Sequence, residues 1–258
     1  YQRGYAPTTA TLGVVGDVHP GAVVARARRH FGPVPRRELA RIASAQEPPQ
    51  TAERRARVSA PAEVPYLILG YHVPALAPDD KSYEPYALDV LAGILGGGNS
   101  ARLARELVRE QKLAASADAG YSPIARSPGL LMLDGTPATG HTIDELERAL
   151  RAQIARLREQ PVTEDELNRV KAQVVAGNIY GRDSVIGQAM QIGQLVVSDL
   201  DWRLQDTFVR RLKAVTAREV QDVAQKYLVD NNLTVTILDP QPGGKGRPRP
   251  AQGAGHVR

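Results

Sequence analysis

"LGGGNSARLARELVREQKLAASADAGY", residues 95–121, compresses several structural events into one stretch. An apolar helix runs out at Leu95, three glycines follow, a basic amphipathic segment begins near Ser100, and a strand is expected from Ala114. Glycines at 96–98 can free backbone N–H groups for an anion or an extended peptide, with Asn99 or Ser100 placed to cap the next helix. The same residues also suit a plain helix C-cap followed by a new N-cap. A phosphate cradle would add a lysine followed by Ser or Thr, and that is absent. In the helix expected over 100–112, Leu103 and Leu107 share one face, and Arg102, Arg105 and Arg109 point to solvent.

Working outward, "PYLILGYHVP" (65–74) is a strand with an apolar middle, and "SYEPYALDVLAGILGG" (82–97) is a helix with Leu88, Leu91, Ala92 and Leu95 at helical spacing. Strands are expected at 114–122 and 129–137. Helices then dominate, announced by the capping-box pairs Thr142/Glu145, Thr163/Glu166 and Thr216/Glu219. "NLTVTILDP" (232–240) is a closing strand. Upstream, "TATLGVVGDV" (9–18) reads as a buried strand leading into the helix "GAVVARARRHFG" (21–32), with Val23, Val24 and Ala27 inward. Residues 33–65 lose periodicity and carry six prolines, which marks a linker holding at most the strand "ARVSA" (56–60). Strands and helices do not alternate strictly, so the class is α+β rather than a doubly wound parallel sheet.

The blocks "ATLGVVGD" and "LTVTILDP" echo each other, each following a tyrosine and a short polar turn. Two tandem homologous domains would produce this, the first block closing an upstream domain. Any β-branched strand after a turn looks similar, so the echo leaves both readings open.

Composition narrows the chemistry. The 258 residues include no cysteine, which excludes disulfides, thiolate metal sites and thiol nucleophiles and is compatible with an oxidising compartment. Of the net charge of +5, four charges (Lys245, Arg247, Arg249 and Arg258) lie after Gln241 in a Gly/Pro-rich tail free of acids. Such a tail is expected to be disordered, and no aromatic residues accompany it to stack on nucleic-acid bases. No run is apolar for long enough to span a bilayer. The abrupt start at Tyr1 is expected of a processed fragment.

The five histidines include no pair at i, i+4 spacing and no H-x-x-E-H or H-E-x-x-H motif. His141 with Glu145 reads as helix capping rather than a zinc site. "GVVGDV" lacks G-x-G-x-x-G, and "GGKGRP" lacks the Ser or Thr and the strand of a P-loop. "RDS" (182–184) is expected within a helix, away from any turn that would expose a nucleophile. No self-contained active site emerges, and no metal is expected on this chain.

The ordered set of segments resembles the inverted-zincin peptidases, the family of pitrilysin, insulin-degrading enzyme and mitochondrial processing peptidase, with bacterial processing-peptidase-like members nearest. "YAPTTATLGVVGDVHP" is similar to the Y-x-P-x-N-x-x-L-x-V-V-G-D segment of that family, "FGPVP" (31–35) to F-G-x-[IL]-P, and residues 95–121 to L-G-x-G-x-S-S-R-L with its glycine-rich loop. "DWR" (201–203), "VTAREVQDVAQKYL" and "LTVTILDP" complete a likeness over nearly all of residues 1–240.

The resemblance implies an α+β domain of the LuxS/processing-peptidase kind, a mostly antiparallel sheet with helices packed on one face. Residues 1–41 would close an upstream catalytic-type domain, 42–64 would be a linker, 65–240 the C-terminal domain and 241–258 the tail. Zinc and H-x-x-E-H would belong to the upstream half, and this half would be non-catalytic, forming part of a peptide chamber. Gly96, Gly97, Gly98, Asn99 and Arg109 would contact peptide substrate, with β-addition at a nearby strand edge. Members that complete the site from this domain use an R-E-K-R-G-L-A-Y pattern. Here Val108 and Ala115 stand where the Arg and Tyr should be, Arg109 is one residue off and Tyr121 comes six residues late. A second homologous subunit carrying that pair is therefore implied, or else a parent that is an inactive scaffold. Family habit and the missing cysteines imply a periplasmic or exported bacterial protein, with the cytoplasm as the alternative.

Overall fold

The computed structural model describes residues 6–36, 48–78, 81–181 and 183–242. The basic tail, residues 37–47 and Arg182 lie outside them, so the tail expectation and the last residues of the segment 1–41 fall there too.

Five strands form one sheet in the order β1-β5-β2-β4-β3: β1 (Arg54–Pro61), β2 (Tyr66–Val73), β3 (Ala114–Gly120), β4 (Gly129–Pro137) and β5 (Leu233–Gln241). Only β1 against β5 is parallel; the other three pairings are antiparallel. The sheet is thus mostly antiparallel, as expected. β1 falls inside the stretch read as a linker, yet it is an edge strand of the sheet. It is anchored by Arg55, whose Nη1 and Nη2 donate to Glu147 Oε1 and Oε2 at 2.8 and 2.7 Å.

Alternation along β2 sends Leu67, Leu69, Tyr71 and Val73 to the buried side, joined by Leu131 and Leu133 from β4 and Val235 and Ile237 from β5. Three helices cover that side: α2 (Glu84–Gly96), α3 (Ile143–Glu159) and α7 (Ala217–Tyr227). α2 is apolar nearly all round, as a central helix must be, because it packs on β3, α7, α4 (Glu164–Gly181) and α6 (Leu204–Ala214) at once. α3 buries Leu146, Leu150, Ile154 and Leu157, a single helical stripe. The capping boxes at Thr142 and Thr216 form as read, and Thr163 and Glu166 exchange the same reciprocal bonds.

On the opposite face of the sheet the described residues leave apolar side chains in solvent. Val58 sits beside Leu238, His72 beside Leu130 and Gly70 beside Met132, and Val58, Leu130 and Met132 are exposed.

Two expectations need correcting. Residues 10–19 form no strand, bend at Gly16 and Asp17 and pair with no described strand, and the helix that follows, α1 (Pro20–Phe31), has no buried residue. Leu12, Val14, Val18, Val24 and Phe31 are 46–60% exposed. A strand needs a neighbour to take up its N–H and C=O groups, and none of the described strands lies alongside this one. Secondly, Asp183 and Ser184 are not within a helix: α4 ends at Gly181, and Ser184 caps α5 (Val185–Val197) by accepting from the Gly187 N–H at 3.0 Å.

Candidate peptide-binding site

The glycine loop begins where α2 meets the outer edge of β3. A Cβ on Gly96 would lie 2.1 Å from Ala119 N, 2.3 Å from Asp118 Oδ1 and 2.4 Å from Ala119 O, so only glycine permits the approach. The Gly97 N–H closes the helix on Gly93 O at 3.1 Å. Gly98 turns the chain at φ +95°, a left-handed conformation natural to glycine. Gly98, Asn99 and Ser100 are exposed. Of the sequence candidates, Gly96 and Gly97 are therefore packing and capping residues, whereas Gly98 and Asn99 present backbone and side chain to solvent.

The nearby strand edge is not free along its length. The Ala119 N–H donates to Asp118 Oδ1 at 2.9 Å, and Gly96 sits against the same peptide group. Asp118 and Gly96 together stop β3 at the position closest to the loop, a common way of protecting a sheet edge.

Beyond the loop the chain does not form an ordinary α-helix. Residues Ala104–Glu110 are π-helical, and Lys112 ends the segment at φ +52°. Arg109 is exposed at its end, as expected. Arg102 is not in solvent: it is 5% exposed, and its Nε and Nη2 donate to Glu166 Oε1 and Oε2 at 2.9 and 2.8 Å. Glu106 is buried beside it. It accepts from Arg156 Nη1 and Nη2 at 3.0 and 2.7 Å, from Gln153 Nε2 at 2.9 Å and from Arg105 Nη2 at 2.9 Å. Burial pushes its carboxyl upward, but these donors overcome that and hold its pKa at about 2. The wide π-helical turn is thus clamped to α3 by Glu106 and to α4 by Arg102.

On that opposite sheet face, Asp118 of β3 stands directly opposite Asp134 of β4. The Tyr66 hydroxyl donates to Asp134, and that hydrogen bond, with burial, pushes the tyrosine pKa up to about 12. Val108 packs against the core, and the Tyr121 hydroxyl donates to Pro74 O at 2.6 Å. Neither could serve as half of a substrate clamp where it stands. His141 Nδ1 lies 3.3 Å from Glu145, which at the same time completes the Thr142 capping box, so this pair is a helix cap.

A model of the peptidase M16 inactive domain matches residues 1–174. The chain belongs to that family. It is 28% identical over 240 residues to the zinc protease PqqE of Helicobacter pylori, covering 92% of this chain and 52% of that protein. It is 24% identical over 210 residues to the mitochondrial-processing peptidase subunit alpha of Solanum tuberosum, covering 77% and 41%. The crystal structure of a protease from Helicobacter pylori superposes with a TM-score of 0.78 at 25% identity, over 88% of this chain and 54% of that one. The chain therefore spans about half the length of these relatives.

Zinc is implied by the zinc-protease relatives rather than by the donor set here. Among the described residues no three His, Asp or Glu side chains converge on a point that could hold a metal ion. α2, the helix that leads into the glycine loop, turns Leu88, Leu91 and Leu95 into the core and offers no histidine. The described residues of this M16 inactive domain do not fit a zinc site.

Sequence reasoning missed the Arg102–Glu166 and Glu106–Arg156 pairs and the Tyr66–Asp134 bond. One signal was available: Arg102 and Glu106 are four apart and adjoin Leu103 and Leu107, so the stripe beside the apolar face was itself poised for burial.

Proposed function

We propose that this M16 inactive domain is one wall of a peptide-hydrolysing chamber whose zinc-bearing H-x-x-E-H half lies upstream in the same protein. The observation that carries the reading is the uncovered unit formed by residues 10–31. It holds a β-branched segment and a helix, with Leu12, Val14, Val24 and Phe31 in solvent. By sequence echo its counterpart is β5, which is paired on both sides, by β1 and by β2. A segment of that kind suits the interior of another sheet.

In this reading water attacks the peptide carbonyl in the upstream half, and the present domain holds the substrate. Gly98, Asn99 and Arg109 contact the peptide, while Gly96 and Gly97 keep the loop in place. The sheet face opposite the helices, with Ile68, Leu130, Met132 and Asp134, lines the chamber. A second homologous subunit supplies the Arg and Tyr that Val108 and Ala115 replace here. The cysteine-free composition suits a periplasmic protein.

A second reading, an inactive scaffold, is favoured by that same missing Arg/Tyr pair. Mixing this chain with a separately produced upstream half separates the two. A chamber wall requires the halves to copurify and to cleave a quenched peptide only together. Leu12→Asp with Val14→Asp should abolish both effects without lowering the Tm of this chain, because neither side chain is buried here. Copurification with no cleavage, also after a homologous subunit is added, would leave the scaffold.

A further inference from the structure

β1 is held on the sheet by different means from its neighbours. β2, β4 and β5 send Leu, Ile, Val and Tyr side chains into the core, whereas every residue of β1 is exposed except the half-buried Ala60. Burial of apolar surface, the main favourable contribution to folding, is therefore missing from this strand. What offsets the entropy lost in ordering it is polar. One part is the parallel backbone ladder to β5, from Arg54 beside Thr234 to Pro61 beside Gln241. The other is a closed ring of four charges.

The ring has two members at the start of β1 and two on α3. Arg55 donates through Nη1 to Glu53 Oε1 at 2.9 Å and through Nη1 and Nη2 to both oxygens of Glu147. Arg151, one helical turn after Glu147, donates through Nε to Glu147 Oε1 at 2.9 Å and through Nη2 to Glu53 Oε2 at 2.9 Å. Each carboxylate thus lies between two guanidinium groups. The bonds from Arg55, joined by those from Arg151, hold the Glu147 carboxyl below its ordinary range against the effect of burial. The α3 half of the ring is fixed, because Leu146 and Leu150 beside Glu147 and Arg151 are buried in the core. The β1 half stands at the surface, with the Arg55 side chain 49% exposed. Attraction between charges so placed is screened by salt.

Without the ring the strand keeps its ladder and one neutral anchor upstream, where Gln50 Nε2 donates to Leu233 O at 2.7 Å. The rest of the fold does not depend on it. β5 is paired on its other side with β2, and no β1 side chain belongs to the core. Elements with few buried contacts are the ones that open locally while the remainder stays folded. Opening here turns residues 54–61 into free chain between the 10–31 unit and β2. It also converts the N–H and C=O row of β5 that faces β1 into a new sheet edge.

We propose that β1 is a releasable strap, fastened by the Glu53–Arg55–Glu147–Arg151 ring, and that weakening the ring lets it leave the sheet as a unit and uncover the β5 edge. The inference is independent of whether the parent hydrolyses peptides.

Hydrogen exchange of the chain at about 20 mM and about 0.5 M sodium chloride tests it, alongside Glu147→Gln and Arg57→Gln, the latter a β1 charge outside the ring. The amides that bond β1 to β5 should exchange at least about fivefold faster at the higher salt, and at least about tenfold faster in Glu147→Gln. Those between β2 and β4 should keep their rates, and Arg57→Gln should behave as the unaltered chain. A Val58→Cys, Leu238→Cys pair gives a second readout, since the two positions are neighbours in register and would carry the only thiols in the protein. Its disulfide should remove the salt dependence, and reduction should restore it. Indifference of the β1–β5 amides to both salt and Glu147→Gln would overturn the proposal. So would equal acceleration of the β2–β4 amides, the mark of global unfolding, or a salt dependence that survives the disulfide.

Discussion

Gly96 and Ala119 are in backbone contact across the junction of α2 and β3, with no room for a single methyl group between them. Because the obstructing atoms are backbone, the neighbour cannot rotate away. Gly96→Ala is therefore expected to cost about 1–3 kcal/mol, the range for overpacking. Gly98→Ala meets no atom within 4 Å and should suffer only from its positive φ, about 1 kcal/mol. Urea denaturation of both variants checks the ranking; a Gly98 variant weaker than the Gly96 variant would contradict the packing role.

Glu106 links stability to acid. Its pKa in the folded chain, about 2, lies below the ordinary 4.5, so the folded state favours the ionised form. That contribution is fully present above about 4.5 and is lost as the pH falls from there through about 2. With a side chain 11% exposed, the difference corresponds to about 3 kcal/mol. Denaturation midpoints measured from pH 6 to pH 2.5 should fall for the unaltered chain and fall less steeply for Glu106→Gln.

Asp89 on α2 has the opposite sign. Burial raises its carboxyl from 3.8 to about 6, so the folded state favours the neutral acid. Stability from this group declines as the pH rises from about 4 through about 6, then stays level. Asp89→Asn should accordingly be more stable than the unaltered chain at pH 7, by about 3 kcal/mol, and nearly equal to it at pH 4. Equal stability of the two at pH 7 would count against a buried, ionised Asp89.

Much of the fold is legible in the residues that face a single, continuous core. Leu67, Leu69 and Tyr71 alternate, Leu88, Leu91 and Leu95 recur at helical spacing, and Thr142, Thr163 and Thr216 mark their helices by capping chemistry that is entirely local. β1 was harder to place because "RRARVSAP" is exposed on both faces; it belongs to the sheet through backbone pairing with β5 and the Arg55–Glu147 bond, neither of which leaves an apolar pattern. The strand read at 9–18 has a fitting sequence, but pairing is a property of its neighbours. In the candidate site, Gly98 and Arg109 stand in solvent where the sequence put them. Arg102 does not, because its charge is matched by Glu166, 64 residues away; its place beside Leu103 and Leu107 hints at burial, but the spacing within one helix does not name the partner.

The Arg102–Glu166 pair offers a test of how buried charge is tolerated. The side chains are 6% and 11% exposed, and Arg102 Nη1 has no hydrogen-bond partner among the described residues. Removing one charge strands the other, so Arg102→Met is expected to cost about 3–5 kcal/mol. Adding Glu166→Gln should recover a large part of that loss. A double-mutant cycle by chemical denaturation measures it, and additive losses would contradict the pairing.

The most direct test of the central claim is zinc content and quenched-peptide hydrolysis, measured on the same samples, for this chain alone and for the chain joined to its upstream half with a homologous subunit present. A non-catalytic chamber wall holds no zinc and cleaves nothing alone, and takes part in zinc-dependent cleavage when the other parts are restored. Zinc-dependent cleavage by the isolated chain would contradict the account.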